Sequence, residues 1–334
     1  MSISSFAVIS RKVCLEGKHM KRFVSLVAGL LLCLGLTVSG FAEGVAPVAS
    51  DQLDAVENTL YGTHQSSSMM ERMESLEDDI YGYPDVNRNI LDRIQTAYEY
   101  VCGTNGGNGS FLQKLNAVDS RFNARITSGP AKTRIEELEN TIYGQIQGGS
   151  LNHRLDRLVE TAYAGGQVPV ESVVLPKDSL VKIEFTSPLS SKTAHIGDPV
   201  SFRVADNLYV NDVLVLSKGA NGVAEVSKVV QPRSFGRDAR IDVKFSHVFA
   251  VDGSQVPIYI GKLAKQEAKT AAGAAGATIG GMIVLGPIGA IGGAFVTGQS
   301  IVIPEGSTTY VQVVQDQNIS GIVFQEAASG TQNE

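Results

Sequence analysis

The 334-residue chain carries 28 basic and 34 acidic side chains and is 43% hydrophobic. Five basic residues and one acidic residue precede position 43, leaving 23 basic against 33 acidic side chains beyond it, a net −10. An acidic chain without a basic cluster is a poor polyanion binder, which excludes nucleic acid as a partner. Cys102 is the one cysteine after position 42, which excludes an internal disulfide and a cysteine metal site in that part.

Residues 1–42 read as a secretory signal. Met20-Lys21-Arg22 supplies positive charge, Phe23 to Val38 is an almost unbroken apolar run, and Gly40 and Ala42 are small residues at −3 and −1 from Glu43. The run is shorter than a membrane-spanning helix needs and ends in a cleavage site, which points to removal. Cys33 follows Leu32 rather than a small residue, which argues against lipoprotein processing. The expected product is exported to the periplasm or outer membrane, with cleavage near Ala42 and a short linker over 43–50.

Residues 51–165 form a repeat. Leu53, Val56 and Leu60 precede Tyr61-Gly62, and Met73, Leu76 and Ile80 precede Tyr81-Gly82. The spacing recurs at Leu115, Val118 and Phe122, at Ile135, Leu138 and Ile142 before Tyr143-Gly144, and at Leu155, Leu158 and Ala162 before Tyr163. A further copy at Leu91, Ile94 and Tyr98 is slightly out of register. Each unit is an apolar stripe on a helix of about three turns. Ser68, Ser110 and Ser150 are candidate N-caps, and the Gly after Tyr suits a left-handed helix end. Arg72, Lys114 and Arg154 stand just before their stripes. Helices this short must bury each other's stripes, as stacked hairpins or as an oligomeric bundle. Tyr61, Tyr81, Tyr143 and Tyr163, with Tyr98, are expected to seal the stripe ends rather than to stack a ligand. Glu77-Asp78-Asp79 reads as a solvated helix face. Gly103 to Gly109 is a linker that lacks the Lys-Ser/Thr pair of a phosphate loop.

Residues 166–262 alternate at period two, at Val181/Ile183/Phe185, Val200/Phe202/Val204 and Ile241/Val243/Phe245, with Pro and Gly between the runs. Short strands punctuated this way predict a β-sandwich or barrel. Alternation resumes over 300–323, before a tail at 324–334 expected to be disordered, so an insertion at 263–299 interrupts the β-domain. Its core, Ala271–Thr297, has no charged residue, and Gly276/Gly280 and Gly289/Gly293 are each four apart. That interval lets helix backbones approach closely in membranes. Leu285-Gly286-Pro287 should turn the helix into two arms, each too short to span a bilayer comfortably. Three arrangements fit: an oligomeric zipper in a membrane, a hairpin buried on the β-domain, and one kinked span. The expected class is α+β, with a short-helix repeat followed by a β-barrel or sandwich interrupted by a glycine-rich helical hairpin.

Two resemblances follow from these residues. Tyr-Gly-(five residues)-Ser-Leu-(two residues)-Arg, at Tyr143 to Arg154 and more loosely at Tyr61 to Arg72, resembles repeats of secreted envelope proteins from diderm Firmicutes. Over roughly 174–322, Val174 to Ser179, Leu214 to Ala220, Phe249 to Gly253 and Ile301 to Gly306 are similar to "I-P-x-G-T", "L-I-P-K-G", "P-D-G" and a closing strand. Those are motifs of the TrbI-like outer-membrane-channel subunit of type IV secretion systems. That resemblance implies a barrel whose helical insertion lines a ring-shaped pore. The chain departs from it in carrying a cleavable signal and a helical repeat where such subunits keep an inner-membrane helix and a proline-rich stalk.

Chemistry is sparse. His64, His153, His195 and His247 are scattered, and no H-E-x-x-H occurs. Ser179-Leu180-Val181-Lys182 has S-x-x-K spacing but lies in an alternating strand rather than opening a helix. There is no G-x-S-x-G elbow and no cysteine with a catalytic partner. The reading is a non-catalytic envelope scaffold, with no cofactor, no metal and no catalytic residue. Its expected partners are itself, the outer membrane, another envelope protein or peptidoglycan. The alternatives are an oligomeric secretion-channel-like subunit and, least supported, a cell-wall-acting enzyme.

Overall fold

In the computed structural model, residues 48–103, 109–231, 239–274 and 302–323 are described. The apolar stripes fold as six helices: α1 (Ala49–Tyr61), α2 (Met69–Tyr81), α3 (Ile90–Cys102), α4 (Phe111–Asn123), α5 (Ala131–Tyr143) and α6 (Leu151–Ala162). Ser68, Ser110 and Ser150 each accept an N–H from the first turn, and Glu71 returns its carboxylate to the Ser68 N–H. Asn89, unnoticed in the sequence, caps α3 in the same way. Gly62, Gly82 and Gly144 end their helices at φ 74°, 86° and 74°, a conformation that costs glycine little. The helices bury one another within the chain: α1 packs on α3 and α4 on α6, while α1 also meets α5 and α2 meets α6.

The stripe residues of α1, α2, α5 and α6 line this core, but two details differ from expectation. Phe122 is 40% exposed, because α4 turns that end of its stripe to solvent. In α3, Leu91 is 56% exposed and the buried stripe is Ile94, Ala97 and Val101. The connection at 82–89 has eight residues where that at 62–68 has seven. The extra residue moves the stripe relative to the repeat.

Among the described residues the second half supplies twelve strands. They are β1 (Val170–Leu175), β2 (Leu180–Phe185), β3 (Leu189–Ser190), β4 (Pro199–Val204), β5 (Leu208–Val210), β6 (Val213–Leu216), β7 (Asn221–Val230), β8 (Arg240–Phe249), β9 (Gln255–Tyr259), β10 (Val302–Ile303), β11 (Thr308–Val313) and β12 (Gln317–Val323). A closed barrel runs β11-β2-β4-β7-β8-β9, and a four-stranded sheet runs β1-β12-β6-β5. Closure leaves the barrel no free edge. The class is therefore α+β, and the sandwich-or-barrel choice resolves to a barrel. The strand that completes it, β11, comes after the insertion and pairs with both β2 and β9. Phe185 and Phe202 are fully buried, with Phe202 edge-on to Phe245 at 5.2 Å. Gly222 lies directly under the Phe202 ring, where an added Cβ would stand 2.2 Å from it.

Between β9 and β10, helix α7 (Lys262–Ala274) opens the insertion. Ala264 and Ala268, one turn apart, are 1% exposed, and the Ala264 N–H donates to Gln312 Oε1 of β11 at 3.1 Å. No helix among the described residues is long and apolar enough to cross a membrane. The signal segment 1–42 and Gly276, Gly280, Gly289 and Gly293 lie outside the described residues.

Phe202 is buried in the barrel between Phe245 and Gly222. Phe202→Ala should cost about 3–5 kcal/mol of stability, read as a lower urea midpoint at unchanged slope. A loss below about 1 kcal/mol, in the range of a neutral surface substitution, would show the barrel core is not packed this way.

Candidate functional site: the latched helices and their seat on the barrel

Each consecutive helix pair within 48–103 and within 109–165 is joined by one buried ionic latch. Glu57 Oε2 accepts the Gln65 N–H at 2.9 Å and, with Oε1, the Nη2 and Nε of Arg72 at 2.7 and 3.0 Å. Glu77 does the same with the Asp85 N–H and Arg93, at 2.8 and 2.6 Å. Asp119 takes the Thr127 N–H and Arg134, at 3.0 and 2.7 Å. Glu139 takes the Gln147 N–H and Arg154, at 3.0 and 2.7 Å. The amide always lies eight residues after the acid, and the arginine fifteen after it, or sixteen across the longer α2–α3 connection. Three of the four acids are 0% exposed and Glu77 is 3% exposed. A buried carboxylate is tolerable only when paired and fully hydrogen-bonded, as these are. Hydrogen bonds to Glu57 and Glu77 raise the pKa values of Arg72 and Arg93. Burial lowers that of Arg134 against the pull of Asp119, yet a guanidinium stays charged throughout.

This corrects the reading of Glu77 as part of a solvated face; only its neighbours Asp78 and Asp79 meet solvent. Arg72 and Arg154 share a repeat position because both close latches. Lys114, at the same place in α4, instead pairs with Asp156 at 2.8 Å on the surface. Its predecessor helix α3 carries Tyr98, not an acid, at the latch position, and the chain there is the Gly103–Gly109 connection.

The tyrosines each engage a different neighbour. Tyr61 donates to Asp79 at 2.7 Å, and Tyr163 donates to the Ala117 carbonyl at 3.0 Å. Tyr143 bonds Thr161 and the Arg157 carbonyl at the surface. Tyr81 packs against the Tyr100 ring at 5.6 Å. Burial pushes the phenols of Tyr81 and Tyr163 up to about 12.

The helices seat on the barrel through one polar face of α4. Gln113 donates to Ser320 Oγ of β12 at 3.2 Å, and Asn116 donates to the Val251 carbonyl at 3.1 Å. Ser120 bonds Ser217 at 2.9 Å, and beyond the helix the Ile126 N–H donates to the Lys218 carbonyl at 2.7 Å. Asn116 also accepts from Arg134 at 2.8 Å, so one latch and the barrel seat share a side chain. Opposite, buried Asp252 holds the β8–β9 turn through Ser254 and accepts the Ser320 N–H at 2.9 Å. Nothing in the sequence spacing marks Gln113, Asn116 and Ser120 as a seat, since a polar face reads as solvated. Beside it lies an open groove of about 700 Å3 lined by Arg125, Thr127, Glu137, Asn140 and Lys218 among others.

The described residues contain no group of three His, Cys, Asp or Glu side chains placed to hold a metal. Ser179 donates to the Pro176 carbonyl at 2.7 Å, and Lys182 pairs with Asp206 at 3.0 Å. Cys102 lies 3.6 Å from Thr59 Oγ1. His247 of β8 is 5% exposed, with Nδ1 at 3.1 Å from Ser246 Oγ and Nε2 buried without a hydrogen-bond partner. Burial lowers its pKa to about 4.

No protein-family model matches the chain, and no curated protein matches it. Among solved structures it is similar to ComB10 of the Com type IV secretion system of Helicobacter pylori, at 16% identity and a TM-score of 0.26, covering 43% of this chain and 88% of that one. A likeness at that level carries no argument about activity.

Two predictions follow from these geometries. Arg154→Met strands a buried carboxylate and should cost about 3–5 kcal/mol, whereas the paired Glu139→Leu/Arg154→Met variant should recover most of that loss. Additive losses in urea unfolding would contradict the latch. His247 is neutral when folded and, with its pKa depressed, binds a proton more readily when unfolded. Its contribution is full above about pH 6.5 and is lost as the pH falls toward about 4. The His247→Phe variant should lose less stability than the parent across that window; parallel curves would contradict it.

Proposed function

We propose that this is a non-catalytic, exported cell-envelope protein with a scaffolding role, associated with the outer membrane through its glycine-rich insertion. The observation that carries the reading is the position of that insertion. β9 and β11 are paired neighbours in a closed barrel, yet an uncharged, glycine-spaced segment is spliced between them in sequence. The chain enters that segment through α7 and returns from it at β10. α7 meets β11, where the Ala264 N–H donates to Gln312 Oε1 at 3.1 Å, and Leu263 and Val302, on either side of the spliced segment, are 49% and 54% exposed. The latched helices suit a fixed arm rather than a reactive cleft. Ser179, Lys182 and the buried carboxylates are committed to structural bonds, which supports a role without catalysis.

A second reading is an oligomeric, secretion-channel-like subunit. It rests on the strand-and-turn motifs quoted above, which fall on β1, on β6 and its turn, on the β8–β9 turn and on β10. Both readings place self-association or an envelope partner at the insertion.

Membrane extraction tests the proposal. The chain is produced in a diderm host, and isolated envelopes are washed with alkaline carbonate. It should stay in the pellet, and replacing 271–297 by a Gly-Ser linker should release it with its circular dichroism intact. Ring-sized oligomers in detergent would favour the channel-like subunit over the scaffold. A parent chain that washes off as a soluble monomer would overturn the membrane role and leave the insertion as packing on the β-domain.

A further inference from the structure

The repeat builds one face twice and uses it differently. In α4 the second, third, sixth and tenth residues are Leu112, Gln113, Asn116 and Ser120. They lie within about 100° of one another around the helix, and all four meet the barrel: Leu112 lies against Gly253, and the other three make the hydrogen bonds of the seat. The same positions of α2 are Met70, Glu71, Glu74 and Asp78. Met70 is 47% exposed, Glu71 and Asp78 are exposed, and Glu74 is half-buried. The apolar residue is kept at the second position, while the neutral seat groups have become carboxylates. A carboxylate at the third position favours any helix N-terminus; those at the sixth and tenth have no such reason to be there.

The surface continues onto α3. The Arg93 guanidinium that closes the Glu77 latch has Nη1 3.5 Å from Met70 Sδ, and Leu91, at the second position of α3, is 56% exposed. Tyr83 and Val86, flanking the latched Asp85 amide, are 67% and 61% exposed. Among the six helices only α2, α3 and α4 have an apolar second residue, and only that of α4 is covered by the barrel. Charge follows the same division. Residues 48–103 hold 11 acidic and 3 basic side chains, a net −8, whereas 109–165 hold 6 and 7, a net +1.

We infer that the α2–α3 face is a docking surface for a basic protein segment with apolar anchors, seated as the barrel is seated on α4. Met70, Leu91 and Val86 take the apolar side chains, and Glu71, Glu74 and Asp78 take lysines or arginines around them. Opposite charge sets the approach and register, and the desolvated apolar contacts hold the complex. The inference is independent of whether the insertion enters a membrane.

The probe is a synthetic amphipathic helix of Lys and Leu, titrated against the exported, purified chain at low salt by fluorescence anisotropy. Its affinity should fall about tenfold or more in Glu71→Gln/Glu74→Gln/Asp78→Asn and in Met70→Ser, as expected for central contacts of an interface. The variants should melt like the parent. Glu137→Gln/Glu160→Gln/Glu171→Gln, which removes as much charge elsewhere, should bind like the parent. A Lys/Ser peptide of equal charge should bind about tenfold more weakly, because it has no anchors. Equal weakening by the two triple variants, or equal binding of the Lys/Ser peptide, would overturn the inference and leave bulk charge as the cause. Sedimentation should show no self-association at this face. A dimer dissolved by the α2 triple variant would also overturn it, since the occupant would then be a second copy.

Discussion

A carboxylate buried at the ninth position of a helix, closing on a loop amide and on the arginine of the next helix, is the interaction on which this architecture depends. Helices of thirteen residues are marginal alone, and their stripes need a fixed register before they can pack. The latch supplies that register, because one charge ties down the loop and the entry of the following helix at once. Its net contribution against an apolar replacement is small, but the penalty for a missing partner is large. It therefore excludes alternative packings more than it adds stability. Among the described residues no latch joins α3 to α4, since α3 carries Tyr98 at the latch position, and there the latched pairs fall into two groups of three helices.

The division reappears in how each group is used. The second group is neutral and spends the α4 face on the barrel, with Asn116 shared between the Arg134 latch and the Val251 carbonyl. The first group, at a net −8, is strongly acidic and leaves the matching face of α2 in solvent. In the barrel, β11, which follows the insertion in sequence, closes the wall between β2 and β9. The described residues are thus a latched helical array seated on one side of a closed barrel.

Much of this was legible in the residues. The i, i+3, i+7 stripes, the serine caps and the Tyr-Gly ends mark the helices, and period-two alternation marks the strands of the barrel. The latch was not legible, because Glu57 and Arg72 are fifteen residues apart on polar positions, and polarity alone does not tell a paired interior from a wet surface. Asp119 was further hidden by its shorter side chain. The stripe of α3 was misjudged because one extra loop residue carried it out of the repeat. The seat residues Gln113, Asn116 and Ser120 were invisible for the opposite reason: a neutral polar face looks the same whether it meets water or backbone carbonyls.

Hydrogen exchange at single-amide resolution tests the latch most directly. The N–H groups of Gln65, Asp85, Thr127 and Gln147 lie in loops but donate to buried carboxylates. Buried latches require that these four exchange as slowly as helix-core amides, while adjacent His64 and Gln145 exchange freely. If all four exchange as fast as their loop neighbours, the carboxylates are not holding the loops, and the helices must find their register by apolar packing alone.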